Sequence, residues 1–248
     1  MNTRSDTTTL ILCGGRGTRA YPHTVELPKP LLDVDGTPVL AHVMEIYASQ
    51  DFGRFVLAAG YRADLIGEFV DASERHRDAV VVDTGVDTDK AERILRCRDH
   101  LSETFFVTYG DGLGAVDLSE LLAFHDSHPG CATVTVVPLP SQYGTVHFES
   151  SGRVHSFTEK PVLADHWINA GFFVMDQPVF DHWVGADLER DILPALARVG
   201  ELFAYRHHGF WRSMDTYQDS MDLTELARES KEIGAALPWI RSGTREYS

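Results

Sequence analysis

Short apolar runs rich in β-branched and aromatic residues alternate along this chain with segments of helical period, and that alternation restricts its fold more than any other feature. The runs occupy residues 9–13, 55–59, 80–82, 104–108, 132–137 and 172–175. Most are continuously apolar rather than alternating, the pattern of strands covered on both faces. Between them the period changes. Over residues 38–48, Leu40, Val43, Met44 and Tyr47 stand at i, i+3, i+4 and i+7, which predicts a helix. Further helices are predicted through Ile66 and Phe69, over 118–128, near 176–184 and 191–199, and over 217–232. Strand–helix alternation of this kind builds a parallel sheet. The expected class is α/β, a mostly parallel Rossmann-like sheet with helices on both faces and a small antiparallel part. Val146, Phe148 and the turn at 149–152 place that part between residues 143 and 157. No repeat, low-complexity stretch or linker divides the chain, so residues 1–248 read as a single domain.

Composition bears on partners. With 248 residues, 43% of them apolar, the chain can bury a core without disulfides or a structural metal. Its 37 acidic and 22 basic residues give a net charge of −15, which argues against nucleic acid or an anionic membrane as a partner. An anionic substrate would need a local cluster of cations or a metal ion. Residues 1–9 lack the apolar stretch of a secretory signal, and no apolar run approaches the ~20 residues of a membrane helix. Cys13, Cys97 and Cys131 are odd in number and scattered, which argues against a disulfide framework and a zinc site and for a reducing cytoplasm. His125 and His128 could share a helix face. With no third ligand at helical or loop spacing, they read as surface decoration.

The chemistry concentrates at the ends of strands. The first run leads into Gly14-Gly15-Arg16-Gly17-Thr18-Arg19, where glycines would let backbone amides approach a phosphate or base. The spacing is neither that of a dinucleotide fingerprint nor that of a P-loop, and a plain tight turn would also need glycine. In Pro28-Lys29-Pro30 two prolines restrict the backbone around one lysine, as suits an ammonium that must meet a phosphoryl oxygen; a solvated loop lysine is the bland reading. Tyr109-Gly110-Asp111-Gly112 ends another run, where parallel sheets gather ligands. Its carboxylate suits Mg²⁺, and Asp215 offers a partner; a polar turn is the alternative. Glu159-Lys160-Pro161 and Trp167-Ile168-Asn169-Ala170-Gly171 add a charge pair and an amide suited to a sugar phosphate and its hydroxyls.

In this order the motifs resemble those of the sugar-1-phosphate nucleotidylyltransferases, or nucleoside-diphosphate-sugar pyrophosphorylases, over about residues 9–226. Thr108-Tyr109-Gly110-Asp111-Gly112, Val82-Asp83-Thr84-Gly85, Trp167-Ile168-Asn169 and Gly209-Phe210-Trp211 followed by Met214-Asp215-Thr216 are similar to strings of glucose-1-phosphate cytidylyltransferases. The resemblance implies a nucleotide-diphospho-sugar transferase-like fold, with a nucleotide-binding half over 9–140 and a sugar-phosphate-binding half over 141–226. It implies a Mg²⁺-dependent reaction of a nucleoside triphosphate, CTP favoured, with a sugar 1-phosphate, giving NDP-sugar and pyrophosphate.

It also implies residue roles. Cys13, Gly14 and Gly15 would line the base and ribose, with Gly17, Thr18 and Gly110 beside them. Thr84 and Gly85 would lie against the base. Arg19 would hold the leaving phosphates, Lys29 the α-phosphate and Lys160 the sugar phosphate. Asp111 and Asp215 would hold the magnesium. Glu159, Asn169, Gly171 and the Gly144 backbone would serve the sugar. A homo-oligomer is also expected. Two departures stand out. Ala91 and Glu92 replace a glycine pair of the cytidylyl pattern, adding a carboxylate near the expected base pocket; it could accept from the amine of cytosine, guanine or adenine, so the base stays open among CTP, ATP, GTP, UTP and dTTP. Cys13, where alanine is common, reads as a small buried hydrophobe rather than a nucleophile. A catalytically silent nucleotide-sugar-binding regulator is the alternative of another class, and the glycine spacing disfavours a nicotinamide oxidoreductase.

Overall fold

The computed structural model describes residues 6–241; the first five residues of the leader reading and the outer ends of the single-domain reading lie outside that range. Among the described residues, thirteen strands and six α-helices follow in chain order. They are β1 (Thr8–Leu12), β2 (Asp33–Val34), β3 (Thr37–Pro38), α1 (Val39–Ala48), β4 (Arg54–Ala59), α2 (Ala63–Ala72), β5 (Val80–Asp83), α3 (Lys90–Arg96), β6 (Thr104–Tyr109), β7 (Gly112–Gly114) and α4 (Leu118–Asp126). The second half continues with β8 (Ala132–Pro140), β9 (Thr145–Phe148), β10 (Val154–Thr158), β11 (Val162–Asp176), α5 (Leu193–Val199), β12 (Leu202–Arg206), β13 (Trp211–Ser213) and α6 (Tyr217–Glu232).

Seven strands form one sheet in the order β12-β8-β11-β6-β1-β4-β5. All run parallel except β11, which pairs antiparallel with both neighbours. The mostly parallel sheet expected from the apolar runs is therefore present. Along β1, Leu10 enters the apolar layer on one face and Ile11 the layer on the other, so a strand buried on both sides has no polar position to alternate with. Helices α1, α2, α4 and α6 contribute to one layer and α3 and α5 to the other. The chain moves outward from β1 to β4 and β5, then returns to lay β6 on the other side of β1. Strand ends diverge at such a switch point, and ligands gather in the crevice between them.

Several readings change. The run at 172–175 belongs to a strand of 15 residues, whose pairing with β8 shifts register between Leu163 and Trp167 and again between Asn169 and Phe173. The helix expected near 176–184 is a 3₁₀ turn over Gln177–His182, with Pro178 in its first turn. That expected over 191–199 begins as one wide turn at Leu188–Ile192, and α5 follows. His125 is not surface decoration. It is buried because its Nδ1 shares a 2.8 Å hydrogen bond with the Thr133 hydroxyl on β8, which also meets His128 Nε2 at 2.7 Å. The expected hairpin is present as β9–β10. It stands out from the sheet as an arm, every residue of β10 exposed.

Candidate active site

At the carboxyl ends of β1 and β6 lies a cleft of about 770 Å³. The β1 turn enters it with Gly17 at φ 62°, a conformation that favours glycine. A side chain there would also press its Cβ to 2.7 Å from that of Lys29. Gly14 is equally constrained, since a Cβ would lie 2.2 Å from the Arg93 guanidinium. The two prolines hold Lys29 at the start of a 3₁₀ turn, Lys29–Leu31, with the residue 8% exposed. Its Nζ lies 2.5 Å from Asp111 Oδ2 and 3.2 Å from Asp215 Oδ1, and Arg19 reaches the same Asp215 oxygen at 3.0 Å.

The two carboxylates meet because the short strands that carry them pair. β7 follows Asp111, and β13 precedes Asp215, antiparallel to β7. The Met214 amide donates to the Asp111 carbonyl at 2.8 Å and closes the ladder. Asp219, in the first turn of α6, then fixes Asp215 from behind, accepting from its amide at 2.9 Å and from the Thr216 amide and hydroxyl at 2.6 and 2.8 Å. Burial pushes the Asp215 carboxyl up, but Lys29 and Arg19 pull it down further, leaving it below the usual carboxylate range. Two carboxylates that share one cation form a donor set suited to a hard divalent ion.

Cys13, Gly14, Gly15, Arg16, Gly17, Thr18, Arg19, Lys29, Gly110, Asp111, Asn169 and Asp215 all line the cleft. Asn169 reaches it through a bulge. Residues 170–172 oppose a single residue of β8, Gly171 turns at φ 78°, and its amide donates to Asn169 Oδ1 at 2.8 Å. Bulges commonly re-aim a side chain in this way beside a functional site. Thr84 and Gly85 stand behind the lining, bonded to Arg93. Gly144, Glu159 and Lys160 are on the arm and its root, apart from the lining. Gly144 packs against Phe157 and the Glu159 carboxylate, and Lys160 adopts φ 45°. Glu92 also stands outside the lining and pairs with Arg96 at 2.9 Å on the surface of α3. Cys13 is 1% exposed, and burial above all pushes its thiol up to about 12, which suits an inert packing role.

Two groups emerge only from the structure. Arg93 is buried, and its guanidinium donates to the carbonyls of Gly14, Ala59, Gly85 and Val86 and to the Thr84 hydroxyl, between 2.5 and 3.2 Å. It pins the β1 turn, the end of β4 and the loop after β5 into one rim. The second is a relay behind Asn169, whose amide donates to the Tyr109 hydroxyl at 3.0 Å while that hydroxyl donates to Glu189 at 2.6 Å. Arg93 follows the departing pair Ala91-Glu92, so its position was a visible signal. Glu189 had none, being far along the chain from Tyr109.

The sequence model of the nucleotidyl transferase family matches residues 8–237. The chain is 36% identical over 249 aligned residues to a probable glucose-1-phosphate cytidylyltransferase of Bacillus subtilis (strain 168), covering 90% of this chain and 97% of that one. It is 33% identical to a glucose-1-phosphate cytidylyltransferase of Salmonella typhi, covering 93% and 97%. A crystal structure of a putative glucose-1-phosphate thymidylyltransferase from Bacillus anthracis, in complex with a sucrose, superposes with a TM-score of 0.68 at 20% identity, covering 90% and 96%. The last likeness is one of fold, and it agrees with the sheet described above. The family match spans every strand end that builds the cleft, so the chain belongs to the nucleotidyl transferase family.

Proposed function

We propose that the protein transfers the cytidylyl group of CTP to a sugar 1-phosphate, with glucose 1-phosphate the leading candidate, releasing pyrophosphate. The observation that carries this reading is the meeting of Lys29, Asp111 and Asp215 beside the glycine turn of β1. The likeness to two cytidylyltransferases supports CTP as the donor. A phosphate oxygen of the sugar phosphate attacks the α-phosphorus, the bond to the β-phosphate breaks, and pyrophosphate leaves with the electron pair. Such chemistry asks for alignment and charge neutralisation rather than a covalent intermediate.

In this reading the β1 turn cradles base and phosphates, Arg19 receives the leaving phosphates, and Lys29 holds the α-phosphate. Asp111 and Asp215 would hold a magnesium ion, which neutralises phosphate charge when bound. Asn169 and Gly171 serve the sugar, and Glu159, Lys160 and Gly144, on the arm and its root, are its further partners; in this reading residues 141–226 act as the sugar-phosphate half and 9–140 as the nucleotide half. The protein acts in the cytoplasm, in keeping with three buried free cysteines. It acts as a homo-oligomer, because the arm exposes Phe148 and Phe157, each 64% accessible, and apolar surface of that kind favours a protein contact.

The test is pyrophosphate release from five nucleoside triphosphates, each against several sugar 1-phosphates with magnesium. CTP with glucose 1-phosphate should give the highest turnover, and a chelator should abolish it. A higher rate with another triphosphate would reassign the base. Release from no pair would leave a catalytically silent binder.

A further inference from the structure

Outside the cleft, one cluster of metal-ligating side chains stands out among the described residues. Cys131 precedes β8, His182 ends the 3₁₀ turn after β11, and Glu201 precedes β12. One ligand atom from each residue lies within 4.8 Å of the other two. The cluster sits where the parallel strands β8 and β12 begin, at the opposite end of the sheet from the carboxyl ends that form the cleft. We propose that Cys131, His182 and Glu201 bind a borderline-soft divalent cation of the zinc class, independently of the reaction in the cleft.

The donor set supports that class of ion. A cysteine sulfur that releases its proton on binding, an imidazole and a carboxylate match zinc, whereas magnesium takes oxygen ligands. Zinc–ligand bonds of about 2.0–2.3 Å in a tetrahedron put neighbouring ligand atoms roughly 3.3–3.6 Å apart. Gathering these three from within 4.8 Å is a movement on the scale of side-chain rotation. The backbone around two of them is already held. The Cys131 amide donates to Glu201 Oε2 at 3.0 Å and so orients the carboxylate, and the Ala132 amide donates to the Glu201 carbonyl at 3.0 Å. Hydrogen bonds of this kind, which orient a ligating carboxylate, are typical of metal sites. Three protein ligands leave a fourth position for water. The bound ion would tie the edge strand β12 and the 177–182 turn to β8, a clip between segments that sequence spacing does not associate.

The full chain, stripped of metal with a chelator, should be titrated with Co²⁺ as a spectroscopic probe. One equivalent should produce a thiolate-to-cobalt charge-transfer band, zinc should displace it, and zinc should raise the melting temperature. The band should vanish in Cys131→Ser, and His182→Gln should weaken binding at least about tenfold while pyrophosphate release stays unchanged. His182 is only half-buried, so its variant keeps the proposal testable should Cys131→Ser fail to fold. An Asp111→Asn, Asp215→Asn double variant should retain the band, which separates this site from the cleft. Absence of the band in the wild-type chain, or its survival in Cys131→Ser, would overturn the proposal.

Discussion

Lys29 is the residue on which the cleft turns. Its ammonium bridges carboxylates that flank two paired strands, β7 and β13, at 2.5 and 3.2 Å, so a cation already stands where they converge. Under the proposed function, an incoming polyphosphate would exchange for those carboxylates at the ammonium and free them for a metal. Lys29→Ala should lower kcat by about 10²–10³-fold, the usual loss on removing one preorganised charge from a phosphoryl or acyl transfer site. The fold should survive, because the charged end of the side chain faces the cleft rather than the core; a circular dichroism spectrum beside the kinetics checks this. Near-normal turnover would remove Lys29 from the mechanism. Arg93 makes a different point at the same scale. Five oxygen partners and no carboxylate among its hydrogen bonds describe a guanidinium used to shape a rim. An arginine in a sequence does not disclose whether it will face solvent or pin three loops.

Among the elements, the β7–β13 ribbon and the start of α6 set where Asp111 and Asp215 meet. Thr216 and Asp219 form a reciprocal capping box, and the same Asp219 carboxylate accepts the Asp215 amide. Removing a cap costs about 0.5–2 kcal/mol. Asp219→Ala should therefore lower the melting temperature and also raise the magnesium concentration needed for half-maximal turnover. A lower melting temperature with an unchanged magnesium titration would limit Asp219 to capping. Helix α6 was legible in full, over Tyr217–Glu232, because its amphipathic period and polar start are local. Strand β13 was not, because three residues carry no period, and its pairing with β7 joins segments about a hundred residues apart. The bulge in β11 escaped for the same reason. Its register is set against β8 and β6, not by its own residues.

For the whole molecule, charge and histidine burial make separate statements. The chain carries −15, yet the cleft lining balances Arg16, Arg19, Lys29, Lys90 and Arg93 against Asp87, Asp89, Asp111, Asp187 and Asp215. A small anionic substrate therefore meets a locally neutral site, and the acidic excess lies elsewhere. His42, His76, His128 and His207 all have lowered pKa values, burial being the largest cause in each. Between each lowered value and the ordinary one of about 6.5 the unfolded chain binds more protons, so stability rises with pH across that window. Their contribution is complete above about pH 6.5 and is lost as pH falls through the folded values. The urea midpoint should thus fall between pH 7.5 and pH 5. A flat or rising midpoint would show that the four rings do not control acid stability.

The sequence by itself determined the α/β class, the strand ends that carry the motifs, and the family, since apolar runs, helical periods and ordered motifs are local properties that any tertiary context must accommodate. Only the tertiary structure decided which of those ends meet. It brought Asp111 to Asp215 through a three-residue ribbon, buried His125 against Thr133, and carried Glu159 and Lys160 out on an arm. It also packed Trp239, beyond the last motif, wholly into the core with its indole 3.3 Å from His42 Nδ1. It gathered Cys131, His182 and Glu201 as well, although the scatter of the three cysteines argues against a zinc site. Each of these depends on pairing between distant segments, where register and packing rather than local pattern determine which residues become neighbours.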